Sequence, residues 1–297
     1  MISERPEQVL LSNPRSDRVK AVARLSGRSA RLRAGRFVVE GPQAVREAVA
    51  LTAAAPGRAG PGAVRELYAT QEAAQRYPEI MDAAAAVRIF ARPVTDEVLA
   101  AMLADGGTLS PQGLLAVCDL ITVDLDSVLR RRPAMVAVLS QVRDPGNAGT
   151  VIRAADAAGA DAVVLTDASV DVHNPKAVRA TAGSLFHLPV VAGVPLAVAV
   201  AGLRAAGLHI LAADGAGSID LDDLSDAAQT EPGALLAGPV AWVFGNEAWG
   251  LPTADAALAD AIVRVPVHGR AESLNLATAA TVCLYATARA QRRSARQ

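Results

Sequence analysis

The chain has 297 residues, 52% hydrophobic but only 3% aromatic, and its 29 basic and 30 acidic residues leave a formal charge of −1. That length suggests two domains at ~150 residues each, and the apolar content excludes a disordered chain, which would be poor in apolar residues and strongly charged. Two cysteines, Cys118 and Cys283, and four scattered histidines form neither a disulfide framework nor a zinc-ligand pattern, so no metal is expected.

The start MISERPEQ is charged, and the longest apolar stretch, 188–203, is interrupted by Pro189, Gly193 and Pro195, so neither a signal core nor a membrane span is read. A reducing, cytoplasmic location is expected. Residues 1–36 are locally basic, with Arg24, Arg28 and Arg31 spaced to share one helical face. Such a face is either solvated or a phosphate contact. An α/β series follows: strand 37–39, helix 42–51, loop 53–62, strand 66–68, helix 71–77, strand 86–90, helix 95–103 and strand 113–118. Residues 119–133, with Arg130-Arg131-Arg132-Pro133, break the pattern and read as a linker.

A second series begins at Ala134. Strands are expected at 136–139, 162–165, 209–213, 240–244 and 262–265, and helices at 147–159, 175–182, 196–206 and 273–291. Continuous apolar strands between helices predict a mostly parallel sheet covered on both faces. Acidic Asp220, Asp222, Asp223 and Asp226 fall in an apparent loop.

Three clusters end apolar strands of this second series, where open α/β sheets place ligands. Asp144-Pro145-Gly146-Asn147 opens a helix that carries Arg153, and Asn147 reads as its N-cap. Gly245-Asn246-Glu247 leaves a buried strand, Gly245 permitting close backbone approach to a ligand, with Trp249 nearby. Pro266 leads through Gly269 to Ser273-Leu274-Asn275, where either Ser273 or Asn275 would cap the last helix. Taken alone, each cluster could be a cap or a strand-exit turn. The chain lacks a Gly-rich dinucleotide fingerprint, a Walker A loop, a nucleophile elbow and a metal-ligand pair. An inventory of Arg, Asn, Glu and Ser suits binding and positioning more than covalent catalysis.

In this order and spacing, D-P-x-N-x-G-x-x-x-R, G-N-E-x-x-G-L and P-x-x-G-x-x-x-S-L-N resemble the SpoU/TrmH group of RNA 2′-O-ribose methyltransferases, within the SPOUT superfamily. Asn174-Pro175-Lys176 with Arg179 and Gly183 also looks like a segment of that family, and 35–41 resembles an L30e-like substrate-binding domain. The resemblance implies an RNA-binding domain over 1–120, a linker over 121–133 and an α/β trefoil-knot domain with a mostly parallel sheet over 134–297. It implies S-adenosyl-L-methionine as cofactor, held at Gly245, Val265 and Leu274. Asn147, Arg153, Glu247, Ser273 and Asn275 become the expected catalytic residues, and Arg36, Arg143, Lys176, Arg179 and Arg270 the expected RNA contacts. A homodimer through the C-terminal domain is also implied, with the last helix and its small face (Ala277, Ala280, Cys283, Thr287) in the interface. The expected substrate is ribosomal RNA, most readily 23S rRNA. A tRNA 2′-O-methyltransferase and a non-catalytic RNA-binding assembly protein of the same fold are the alternatives.

Overall fold

A computed structural model describes residues 9–55, 60–103, 112–231 and 233–294. The chain divides into two compact units, Met1–Ile121 with His173–His187, and Thr122–Val172 with Leu188–Gln297.

The first unit contains α1 (Asp17–Ala23), α2 (Arg28–Ala34), β1 (Arg36–Glu40), α3 (Pro42–Ala54), β2 (Val64–Ala69), α4 (Gln71–Arg76), α5 (Pro78–Ala86), β3 (Arg92–Pro93), α6 (Asp96–Leu103) and β4 (Leu114–Asp119). Its sheet runs β1-β4-β2-β3, with β4 antiparallel to both neighbours. Val19, Val22, Val38, Tyr68, Leu99 and Leu115 fill a core between the sheet and α1 and α6.

Two expectations fail here. The strand expected over 86–90 is instead the end of α5 and its turn. The amides of Val87, Arg88 and Ile89 fold back onto the carbonyls of Ala84 and Ala85, and Arg88 takes a left-handed φ of 58°. That closure is a Schellman-type C-cap made without glycine, so its usual sequence signal is missing. The arginine face over 24–31 is also broken, because Arg24–Ser26 is a 3₁₀ turn and Gly27 is extended (φ −87°, ψ 133°). Arg31 is 2% exposed and donates to the carbonyls of Leu25 and Ser26, so it closes that turn rather than facing phosphate. Of the basic segment, Arg5 lies outside the described residues, as do 56–59 of the expected loop.

The second unit contains α7 (Leu125–Leu129), β5 (Met135–Leu139), α8 (Pro145–Ala158) and β6 (Ala162–Thr166); α9 (Pro175–Ala180) intervenes and belongs to the first unit. It continues with β7 (Val190–Val194), α10 (Leu196–Ala205), β8 (His209–Ala213), β9 (Ile219–Asp220), α11 (Leu221–Thr230), β10 (Val240–Phe244), α12 (Thr253–Ala256), β11 (Ala261–Arg264) and α13 (Leu276–Ser294). Among the described residues the sheet has seven strands in the order β7-β6-β5-β10-β8-β11-β9, every neighbouring pair parallel. The mostly parallel α/β sheet is as expected.

β5, β6 and β10 are buried at every residue. This is why they read as unbroken apolar runs, and each fully buried Val or Leu contributes about 1.5–3 kcal/mol. From β5 the chain moves outward through β6 and β7, returns to β8 on the far side, and then inserts β10 between β5 and β8. The C-terminal ends of β5, β8, β10 and β11 therefore share one edge of the sheet.

β7 was not foreseen, since its flanking Pro189 and Pro195 and its Gly193 look like breakers. The stretch read as linker holds α7, whose Val128 is buried in the core between sheet and α10. The acidic loop is in fact α11, with Asp220 as its N-cap and Asp222 and Asp223 in its first turn, where they favour the helix dipole. The small face of α13 is also reassigned. Ala277, Ala280, Cys283 and Thr287 are at most 5% exposed within this one chain, and Thr287 Oγ1 accepts the Trp242 indole N–H at 2.8 Å. That face docks α13 on its own sheet, while Val282 and Tyr285 remain exposed at 40% and 50%. Among the described residues, no helix is long and apolar enough to cross a membrane.

Candidate active site

The site is assembled from the loops that follow β5 and β10 and from the start of α13. The β5 loop enters α8 through Asp144, whose carboxylate accepts the Asn147 amide at 2.7 Å, and Pro145 takes the first helical position. Proline there loses no hydrogen bond and is already set at helical φ. Asp144, not Asn147, is thus the N-cap. The Asn147 side chain is left free for another duty.

That duty is a relay across all three clusters. Asn147 Nδ2 donates to Glu247 Oε1 at 3.1 Å, and Asn275 Nδ2 donates to Asn147 Oδ1 at 3.1 Å. Asn275 Oδ1 in turn accepts the amides of Ala277 (2.9 Å) and Thr278 (3.4 Å), capping α13. Glu247 also accepts the backbone N–H groups of Arg143 (3.4 Å, Oε2) and Asp144 (3.3 Å, Oε1). Glu247 thus gathers three N–H donors, and a carboxylate suits this because it only accepts. Both asparagine amides are oriented by their partners, and each Nδ2 keeps a second N–H for a ligand.

The Glu247 loop is rigid for identifiable reasons. Asn246 and Gly250 exchange backbone hydrogen bonds of 2.9 Å each, folding 246–250 back on itself. The Asn246 side chain, 6% exposed, donates to the Gln141 carbonyl at 2.7 Å and accepts the Ala248 amide at 2.9 Å. A Cβ on Gly245 would lie 2.4 Å from the Gly250 carbonyl carbon. The close backbone approach expected at Gly245 is therefore first an approach to its own loop. Beyond Glu247, the Arg143 guanidinium sits 5.0 Å from the Trp249 ring centroid, joining the two loops a second time.

Not every expected residue joins this relay. Arg153 stands exposed on α8, and Ser273 is exposed ahead of α13; neither makes a side-chain hydrogen bond or ion pair among the described residues. Val265 is half-buried and Leu274 is 36% exposed, beside Val267 at 40%. Arg270 is exposed in the same 265–275 segment. Arg36, Lys176 and Arg179 belong to the first unit. There Arg36 reaches Glu66 at 3.7 Å and Arg179 reaches Glu40 at 3.3 Å. Three contributors had not been assigned: Asp144, Asn246 and Gln141, the last in a left-handed conformation (φ 55°). Asp before Pro is a recognisable helix start, so Asp144 was findable; the other two act through tertiary contacts.

The loop after β8 is packed closely through its main chain. Gly217 is buried, and a Cβ there would strike the Arg264 amide and the Ile262 carbonyl at 2.8 Å. The loop after β8 therefore runs directly against β11. Among the described residues, no group of three or more His, Cys, Asp or Glu gathers to hold a metal.

Residues 134–285 match the SpoU rRNA methylase family. The chain is 31% identical over 275 residues, 93% of its length and 97% of the relative's, to a Bacillus subtilis protein named 23S rRNA (guanosine(2553)-2′-O)-methyltransferase RlmP. A solved structure of an AdoMet-bound rRNA methyltransferase from Sinorhizobium meliloti superposes with a TM-score of 0.76 at 28% identity, over 95% of this chain and 97% of that one. The SpoU methyltransferase AviRb from Streptomyces viridochromogenes, solved with AdoMet, gives a TM-score of 0.73 at 31% identity over 94% and 100%.

Proposed function

Because the chain belongs to the SpoU rRNA methylase family, we propose that it is an S-adenosylmethionine-dependent methyltransferase acting on a ribose 2′-hydroxyl of 23S ribosomal RNA in the cytoplasm. The observation that carries this reading is the Asn275–Asn147–Glu247 relay, which ties the three clusters into one site.

Gly245, Val265 and Leu274 would hold the cofactor, through main chain and aliphatic surface. When bound, S-adenosylmethionine supplies a sulfonium methyl group as electrophile. The chain's own part is to align the hydroxyl, since positioning supplies much of the barrier reduction in such a transfer. The second N–H groups of Asn147 and Asn275 orient the 2′-oxygen, Glu247 keeps both amides in register, and Ser273 holds the loop ahead of α13. Arg153 grips an RNA phosphate with its planar fork. A guanidinium only donates hydrogen bonds, so it acts as a clamp rather than a base, and the hydroxyl proton passes to solvent water once the methyl bond has formed. A chemistry centred on a 2′-hydroxyl also selects RNA over DNA. Arg143 and Arg270 would add phosphate contacts at the same edge, and Arg36, Lys176 and Arg179 would act from the first unit. A homodimer is proposed through the exposed side of α13, around Val282 and Tyr285, because its small face is already spent within the chain.

The test is tritium transfer from labelled cofactor to protein-free 23S rRNA, with tRNA in parallel. Transfer to 23S rRNA is expected. A folded protein that labels only tRNA, or no RNA, overturns the proposal.

A further inference from the structure

Trp249 has no part in the chemistry described so far, although its placement is unusual. Aromatic residues make up 3% of the chain, and the other tryptophan, Trp242, is 0% exposed. Trp249 is 49% exposed, two residues beyond Glu247. An indole left half in water forgoes burial of a large apolar surface, yet the chain spends structure to keep it there. The Asn246–Gly250 backbone pair and the Asn246 side chain fix the loop. The Arg143 guanidinium covers part of the ring at 5.0 Å. This arginine pairs with no carboxylate among the described residues. The result is a flat, rigidly mounted π surface with a free positive charge on one side, beside the residues that orient the ribose.

RNA bases that leave a helix are gripped by stacking on such rings, and this stacking is tolerant of base identity because every base has a π face. Resting on the rRNA methylation proposed above, we propose that Trp249 is a positioning residue on which an unstacked base beside the target ribose stacks, while Arg143 meets the adjoining phosphate. The ring would then fix the sugar in line by holding its neighbour.

The experiment compares full-length wild type with Trp249→Ala, Trp249→Leu and Trp249→Phe. Methyl transfer to protein-free 23S rRNA is measured as KM and kcat, cofactor affinity by calorimetry, and oligomeric state by sedimentation. Ala and Leu are expected to raise the RNA KM roughly tenfold, with cofactor affinity and sedimentation unchanged. Phe, which keeps a π face, should stay within about threefold of wild type. Leu separates stacking from simple apolar bulk. Independently, tryptophan emission is titrated with a fragment of the same rRNA. Wild type should be quenched, and Trp249→Phe, which retains only buried Trp242, should not.

The proposal falls if Ala and Leu keep the wild-type KM, if quenching persists in Trp249→Phe, or if Trp249→Ala changes the sedimentation, which would mean that the ring faces another subunit. Loss of the rRNA reading leaves a different pattern: the wild type transfers no methyl to 23S rRNA, and quenching then decides the stacking by itself.

Discussion

The arginines of the two units are used differently. In the first, Arg18 and Arg36 share Glu66, Arg46 meets Glu79, Arg65 meets Asp119 and Arg179 meets Glu40. In the second, Arg143, Arg153 and Arg270, all on segments that build the candidate site, pair with no carboxylate among the described residues. Elsewhere the second unit pairs again, Arg204 with Asp260 at 2.7 Å and Arg264 with Asp220 at 3.2 Å. An exposed pair contributes only ~0–1 kcal/mol, so pairing does not disable an arginine; it cancels the local charge. The difference is local: the arginines on the segments that build the site lack carboxylate partners, as Arg24, Arg28 and Arg33 of the first unit also do among the described residues. Glu247 makes no ion pair with the arginines of the site, its oxygens accepting N–H groups of the loops instead.

Arg153→Ala should break the comparison hardest. It is expected to lower turnover by about 10²-fold or more through lost alignment, with cofactor affinity and melting temperature near wild type. Equal loss of turnover and cofactor binding would contradict a phosphate clamp. Glu247→Gln comes next. The amide keeps one acceptor atom and turns a donor either toward the Arg143 N–H or toward the Asp144 N–H and the Asn147 amide, so it should impair turnover and lower stability by about 1 kcal/mol. A fully active Gln variant would mean that the carboxylate is not needed as an acceptor.

Within the first unit the effects separate by burial. Arg31→Ala should cost about 1–3 kcal/mol in denaturant unfolding, because the Leu25 and Ser26 carbonyls lose a buried donor. Arg24→Ala and Arg28→Ala should leave stability alone and, if either touches RNA, reduce the salt slope of RNA binding by about one each. The smallest effect is expected at Asp260. Burial acts to raise its pKa, but the Ile210 amide and the Arg204 guanidinium outweigh this and hold it below the usual carboxylate range. A depressed folded pKa gives stability that is present above the unfolded value, ~3.9, and is lost as pH falls through the folded one. Asp260→Asn should therefore melt below wild type at pH 7, with the two curves converging as the pH falls through the folded carboxyl's range. A gap that persists at pH 2 would assign the effect to packing.

Much of this was legible in the sequence because it rests on local rules. The buried strands β5, β6 and β10 announced themselves as apolar runs, and the start of α13 was narrowed to Ser273 or Asn275, of which Asn275 caps it. The three clusters were recognisable by spacing, although their joining was not. Nothing in a one-dimensional pattern says that Asn275 reaches Asn147 across 128 positions, or that Asp144 takes the capping role and releases Asn147. Residues in left-handed conformations without glycine, such as Arg88 and Gln141, are held there by surroundings rather than by their own preference. Arg31 was misassigned because charge and spacing do not reveal burial.

Asn275 has one further consequence. Its carbonyl oxygen holds the first amides of α13 while its amide nitrogen holds Asn147, so fraying of this helix end and dismantling of the relay are a single event. The protection of the Ala277 and Thr278 amides against hydrogen–deuterium exchange therefore serves as a built-in gauge of the assembled state, readable without substrate, label or turnover.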